Sequence, residues 1–134
     1  MNIQTMSLDQ YPQVLALWQE CHLSEEPEDS REEVESLLHS SQGTGFVAET
    51  NGTVVGAVLC GNDGRYGYIH HLAVSTNMRR QGLGKRLVSK CIQFVQCRNI
   101  IILVRSDNAA AQAFWNHLQF RNADWVQARF LSIK

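Results

Sequence analysis

Apolar positions along this chain switch between a helical and a strand period, and each switch marks an element. Asn2 to Met6 reads as a short first strand. Ser7 then starts a helix, with Gln10 three residues on as its capping-box partner. Tyr11, Val14, Leu15 and Trp18 fall on one face of it. Ser30 and Glu33 form a second capping box, and Val34, Leu37 and Leu38 supply that helix's apolar stripe. The middle of the chain changes to a β pattern. Phe46-Val47-Ala48 predicts a strand that ends at Asn51-Gly52, the pair preferred in a type I′ hairpin. Val54 to Cys60 returns with β-branched residues, Asn62-Asp63-Gly64 signals another turn, and Tyr66 to Val74 predicts a third strand. The three form an antiparallel meander.

A different pattern follows. From Gly82 to Gln96, Leu83, Leu87, Cys91, Phe94 and Val95 line one helical face, and Lys85, Ser89, Lys90 and Gln93 line the other. Ile100 to Val104 is a continuous apolar run, as expected of a strand covered on both sides. Asp107 or Asn108 caps a last helix through Phe114 and Leu118, and Ala123 to Lys134 is expected to add one or two strands. A strand, helix, strand unit after a meander implies a mixed α/β sheet with helices on its faces.

At 134 residues the chain has the length of a single domain, expected to span 1–134, and 44% hydrophobic residues suffice for a core without staples. A net charge of -1 gives no prior for nucleic-acid binding. No apolar run reaches the length of a membrane span, and no signal peptide is visible at Met1-Asn2-Ile3-Gln4-Thr5, so a cytoplasmic protein is expected. Cys21, Cys60, Cys91 and Cys97 form no C-x-x-C pair, and the first three sit at core-like positions, which fits buried free thiols.

The stretch richest in chemistry is Val74-Ser75-Thr76-Asn77-Met78-Arg79-Arg80-Gln81-Gly82-Leu83-Gly84-Lys85-Arg86. A strand feeds a loop, and the loop feeds a helix. Glycine lets the backbone turn tightly and approach a ligand closely. The unpaired amides of the first helical turn point at an anion, with the helix dipole behind them. Arg79, Arg80, Lys85 and Arg86 surround this turn, as suits a pyrophosphate. The P-loop pattern G-x-x-x-x-G-K-[ST] does not occur, and the third glycine of the Rossmann fingerprint is replaced by Leu87.

Arg79-x-x-Gly82-x-Gly84 resembles the Q/R-x-x-G-x-G/A acyl-CoA signature of the GNAT acetyltransferases. Ile69-His70-His71-Leu72-Ala73-Val74 resembles the family's fourth strand, and Asn62-Asp63-Gly64-Arg65-Tyr66-Gly67 a turn found in many bacterial members. Asn108-x-x-Ala111-x-x-Phe114-Trp115 is similar to the family's second motif, and order and spacing agree throughout. The resemblance implies the GNAT fold: a mixed, mostly antiparallel sheet of six to seven strands with about four helices, and a V-shaped splay between the fourth and fifth strands. It implies acetyl-CoA as co-substrate, with the pantetheine arm pairing with the edge of Leu72, Ala73 and Val74. The pyrophosphate would lie on Arg79, Arg80, Gln81, Gly82, Leu83, Gly84 and Lys85, and Asn108 would bond the far end of the arm or serve as a plain helix cap. Dimerisation is common in the family, with the C-terminal strands a candidate interface.

Two positions depart from the family pattern. The tyrosine often used as the acid that protonates the leaving thiolate is replaced by Trp115, whose indole donates a hydrogen bond but is no acid near neutral pH. Gln119 replaces the usual glycine before Phe120, which is expected to alter the turn after the last helix. His70 is the candidate base, its ordinary pKa being suited to proton transfer near neutrality; the alternative is a hydrogen-bonded structural histidine. On a regular strand His70 and His71 point to opposite faces and form no chelating pair. His22, His39 and His117 fall at helix ends with no metal spacing, so no metal is expected. Glu25, Glu26, Glu28, Asp29, Glu32, Glu33 and Glu35 form either an acidic rim that attracts a cationic amine, small molecule or peptide, or a solvated face. The leading reading is acetyl transfer from acetyl-CoA to a primary amine by direct attack. The alternative is a non-catalytic acyl-CoA-binding module. A nucleic-acid-binding basic run lacks interleaved aromatics.

Overall fold

The computed structural model describes residues 2–133, which fall into two compact units, one up to Leu103 and one from Val104 onward. In the first unit five strands stand in chain order: β1 (Asn2–Thr5), β2 (Gly43–Thr50), β3 (Thr53–Asn62), β4 (Tyr66–Val74) and β5 (Asn99–Ile102). The first three pairings are antiparallel and β4–β5 is parallel. Helices α1 (Tyr11–Glu20) and α2 (Arg31–His39) lie between β1 and β2, and α3 (Leu83–Val95) is the crossover that a parallel neighbour requires.

Local chemistry explains most of these boundaries. Asn51 and Gly52 take φ of +52° and +77°, the two positive values of a type I′ turn, and Thr50 pairs with Thr53. Ser30 Oγ accepts the Glu33 amide at 3.3 Å and opens α2. At Ser7 the capping box forms, its amide donating to Gln10 Oε1 at 2.9 Å. It opens only a 3-10 turn over Leu8–Gln10, and the α-helix begins at Tyr11. Pro12 has no N–H to donate to the Leu8 carbonyl, so a continuous α-helix from Ser7 would lack a bond in its first turns.

Helices α1 and α2 cover one face of the sheet, where Val14, Leu17, Trp18 and Val34 pack with Val47, Ala57, Leu59 and Ala73. Helix α3 covers the other face: Leu83 and Leu87 reach over Gly56, and Val95 lies over Gly67. Cys60 and Cys91 are buried free thiols, as expected, whereas Cys21 is only half-buried.

The sheet is smaller than expected. It has five strands among the described residues, not six to seven. β5 stops at Ile102, and Ile101 and Leu103 are exposed, so this run is not covered on both sides. Residues 123–133 form no strand. They make one turn bond, Val126 N–H to the Ala123 carbonyl at 3.2 Å, and leave Trp125, Phe130 and Leu131 exposed. Lys134, the last residue of that expectation, lies outside the described residues. β-branched and aromatic content marks a surface that would fit a sheet, but a strand exists only where a neighbour offers an edge. Among the described residues no helix is long and apolar enough to cross a membrane.

In the second unit α4 (Ala109–His117) is capped by Asn108, whose Oδ1 accepts the Ala111 amide at 3.0 Å. Its far end corrects the expectation about Gln119. Phe120 N–H donates to the Trp115 carbonyl and Gln119 N–H to the Asn116 carbonyl, both at 2.9 Å. The Trp115 and Phe120 rings meet edge-on at 5.0 Å. This is a complete Schellman motif with its apolar contact. Gln119 takes the left-handed φ of +71° that the motif demands, so the turn survives without glycine at the cost of backbone strain. Gln119→Gly is therefore expected to stabilise the protein by about 1 kcal/mol, read as a higher urea midpoint.

Candidate active site

The site centres on an irregularity in β4. Ala73 pairs with Ala57 and His70 with Leu59, so Val58 alone faces two residues, His71 and Leu72. His71 takes a φ of +53°. This is a β-bulge. Ser75 N–H donates to the Val55 carbonyl at 2.8 Å, and Asp63 N–H to the Tyr66 carbonyl at 3.2 Å. Counting the alternation of an antiparallel ladder inward from these two bonds makes Ala73–Ala57 and His70–Leu59 the hydrogen-bonded pairs. The amides of His71 and Leu72 are then left without acceptors in β3, and the peptide groups of Val74 point away from β3. The β4–β5 pairing ends at Ile69–Ile102, so β4 continues from His70 to Val74 with no β5 partner.

The bulge overturns the expectation that His70 and His71 face opposite ways. The extra residue cancels the alternation and turns both toward α1 and α2. His70 lies across from Leu59, a member of that core, and stacks with Tyr68 two residues earlier (6.2 Å between centroids, 13° between planes). His71 Nε2 lies 2.8 Å from Asp29 Oδ2, and its ring meets Trp18 edge-on at 5.0 Å. Trp18 Nε1 donates to the His71 carbonyl at 3.1 Å. Asp29 is 3% exposed. It also accepts the Glu25 amide at 2.7 Å, and its own carbonyl accepts the Tyr11 hydroxyl at 2.6 Å. One member of the acidic run is thus buried, which its composition hides. The only cue is its position just before the cap Ser30, where the chain turns back toward the sheet.

His70 and Tyr68 line a cavity of about 250 Å³ with Leu37, Ser40, Asn62 and Asp63. Crowding by the surrounding protein lowers the His70 pKa, and a charge on His71 lowers it further. That shift favours the neutral imidazole, the form able to accept a proton. The Asp63 carboxyl is also held below its usual range, first by the Tyr66 amide and then by the Arg65 amide. Its Oδ1 is 2.8 Å from each of them.

Beyond β4, Arg80 (φ +63°) and Gly82 (φ +79°) both adopt left-handed conformations before α3. No side chain caps α3, and its first intrahelical bond runs from Arg86 N–H to the Gly82 carbonyl. The amides of Leu83, Gly84 and Lys85 have no acceptor within the helix. Gln81, Gly82 and Lys85 are exposed, as are Arg80 and Arg86. Arg79 is turned back: Nε donates to the Val74 carbonyl at 3.0 Å and Nη2 reaches Cys21 Sγ at 3.6 Å. In the second unit, Asn108 is the α4 cap. Trp115 lies edge-on to both Phe114 and Phe120. His22, His39 and His117 stand at helix ends, and no cluster of three metal-ligating side chains occurs among the described residues.

The family model described as "Acetyltransferase (GNAT) family" matches residues 11–120. An acetyltransferase from Yersinia pestis (strain Pestoides F) is 30% identical over 129 residues, 94% of this chain and 92% of that protein. An acetyltransferase from Pectobacterium atrosepticum shows the same identity and coverage. Among solved structures, an aminoglycoside antibiotic 6′-N-acetyltransferase from Acinetobacter haemolyticus has a TM-score of 0.80 at 19% identity, covering 100% of this chain and 99% of that one. A related enzyme in complex with the bisubstrate analogue CoA-S-monomethyl-acetylneamine has a TM-score of 0.80 at 16% identity, covering 99% and 97%. At these identities the two structures speak for the fold.

Proposed function

Because the chain belongs to the GNAT acetyltransferase family, we propose that it transfers an acetyl group from acetyl-CoA to a primary amine by direct attack. The observation that carries this reading is the unpaired β4 edge, which leads from the bulged amides at His71 and Leu72 to the uncapped start of α3. The residues present fit coenzyme A. Leu72, Ala73 and Val74 form an edge for the amides of the pantetheine arm. The free amides of Leu83, Gly84 and Lys85, the left-handed turn at Gly82, and the cations Arg80, Lys85 and Arg86 suit its pyrophosphate. Arg79 serves from the side, by fixing the Val74 carbonyl at the end of that edge.

When bound, acetyl-CoA supplies an acetyl group activated as a thioester. The His71 and Leu72 amides, left without acceptors in β3, would be the donors for the negative charge that develops on its carbonyl oxygen. His70 takes the proton that the attacking amine must lose as the C–N bond forms and the C–S bond breaks. The departing thiolate takes its proton from solvent. The acceptor is a small cationic amine: the Asp63 carboxylate shares the cavity with neutral His70 and attracts an ammonium group. Structural neighbours named as aminoglycoside acetyltransferases agree with that chemistry.

The test is a thiol-release screen. Acetyl-CoA is offered with spermidine, neamine and an N-terminal peptide amine, alongside calorimetric titration with acetyl-CoA, coenzyme A and NAD. Binding of the first two ligands but not NAD, with thiol released by at least one small amine, is the expected result. Tight acetyl-CoA binding with no thiol from any amine would leave cofactor binding alone, and absent binding would remove the reading.

A further inference from the structure

From the contacts around the β4 bulge we infer that Asp29 and His71 are positioning residues. Together they tie the acidic loop between α1 and α2 to the bulge, so that loop and bulged backbone are held as one piece. The inference rests on the acetyltransferase reading above, because it assigns the bulge a part in the reaction.

Three observations carry it. First, the pair joins two segments distant in sequence through one contact of 2.8 Å, and Asp29 is 3% exposed. A carboxylate so buried persists only when its oxygens are satisfied. Oδ2 meets both His71 Nε2 and the Glu25 amide, and the Asp29 carbonyl takes the Tyr11 hydroxyl. Second, His71 is the residue held at φ +53° in the bulge. A non-glycine residue there stores strain that something else must hold. It is held by Asp29 at the ring and by Trp18, which bonds the carbonyl and packs on the ring edge. Third, the neighbouring residue His70 lines the cavity together with Asp63. A bulge that relaxed into a regular ladder would shift every β4 side chain beyond it to the other face. The acidic loop and the two unladdered amides thus move together or not at all.

The test compares Asp29→Ala, Asp29→Asn and His71→Gln with the wild type. It reads amide hydrogen exchange in residues 21–30 and 69–74, together with kcat and KM for acetyl-CoA with spermidine and neamine as probe amines. For Asp29→Ala, exchange is expected to rise at least about tenfold in both segments, because the lost contact is shared by both. In the same variant kcat should fall at least about tenfold while KM for acetyl-CoA stays within about twofold, since misplacement costs rate rather than cofactor affinity. Asp29→Asn should recover most of the protection and rate, because an amide oxygen still accepts from His71 and Glu25. Faster exchange in 21–30 with 69–74 unchanged, or a lower melting temperature with kcat intact, would overturn the proposal. If Asp29→Ala fails to fold, Asp29→Ser, whose shorter side chain does not reach the ring, combined with His71→Asn answers the same question. Coupled residues give a double variant no slower than the worse single one, and additive losses would refute the tie. A wild type that turns over neither amine nor binds acetyl-CoA would sink the acetyltransferase reading, while the exchange data would still decide whether the loop and bulge are joined.

Discussion

Gly82→Val is expected to weaken acetyl-CoA binding at least about a hundredfold while the protein stays folded. Two physical terms set this size. Hydrogen bonds from backbone amides to a charged group contribute about 1.5–3 kcal/mol each. Misdirecting two of the three amides at the start of α3 therefore removes about 3–6 kcal/mol, and each 1.4 kcal/mol is tenfold in affinity. The mechanism is conformational rather than steric. A Cβ at Gly82 would meet nothing within 4 Å, but φ is +79°, a value that a β-branched residue avoids. The chain must either carry about 1–3 kcal/mol of strain or rotate out of the conformation that aims the amides. Calorimetry with acetyl-CoA measures the first consequence, and urea unfolding measures the second. Affinity equal to wild type in a folded variant would show that the phosphates lie elsewhere.

His70→Ala should slow turnover about 10²–10⁴-fold, the range for losing a positioned general base, with acetyl-CoA affinity unchanged. The pH profile is the sharper test. Desolvation, and next the charge on His71, pull the His70 pKa down, below its ordinary value of about 6.5. Wild-type kcat/KM should therefore rise with pH along a limb centred below that value and level off above it, as the neutral base fills. The variant should lack that limb. Linkage gives a companion sign. The folded protein takes up this proton less readily than the unfolded chain, so His70 costs nothing above about pH 6.5 and costs stability increasingly as pH falls through its folded value. His70→Gln should lessen the acid-side loss of stability. A variant that keeps both the limb and the rate would clear His70 of the role.

The parts of this protein that sequence makes legible are those whose causes are local. Asn51-Gly52 specifies its turn from two residues, and Ser30 with Glu33 specifies a helix start from four. Gly82-x-Gly84 among arginines marks a charged turn into a helix, because both the turn and the charge lie within a few positions. The bulge is different. Nothing in Ile69-His70-His71-Leu72-Ala73 says that two residues will share one partner. That register is set against Val58 and held by Trp18 and Asp29 from α1 and the following loop. The acidic run misleads for the same reason. Composition treats its seven carboxylates alike, while the fold buries one. Gln119 shows the reverse. Its departure from glycine is visible in the sequence, yet the Schellman bonds and the Trp115–Phe120 contact preserve the turn.

The thiols give the packing of α3 on β3 a built-in clock. Cys60 and Cys91 are 1% and 0% exposed on the two sides of that contact, whereas Cys21 and Cys97 reach solvent. A colorimetric thiol reagent meets two populations in the folded protein. One reacts as fast as diffusion through a half-open surface allows, and the other waits until the helix lifts from the strand. The slow phase measures how often that lifting happens. A cofactor that clasps the first turn of α3 would lengthen the wait, without any label having been added to the chain.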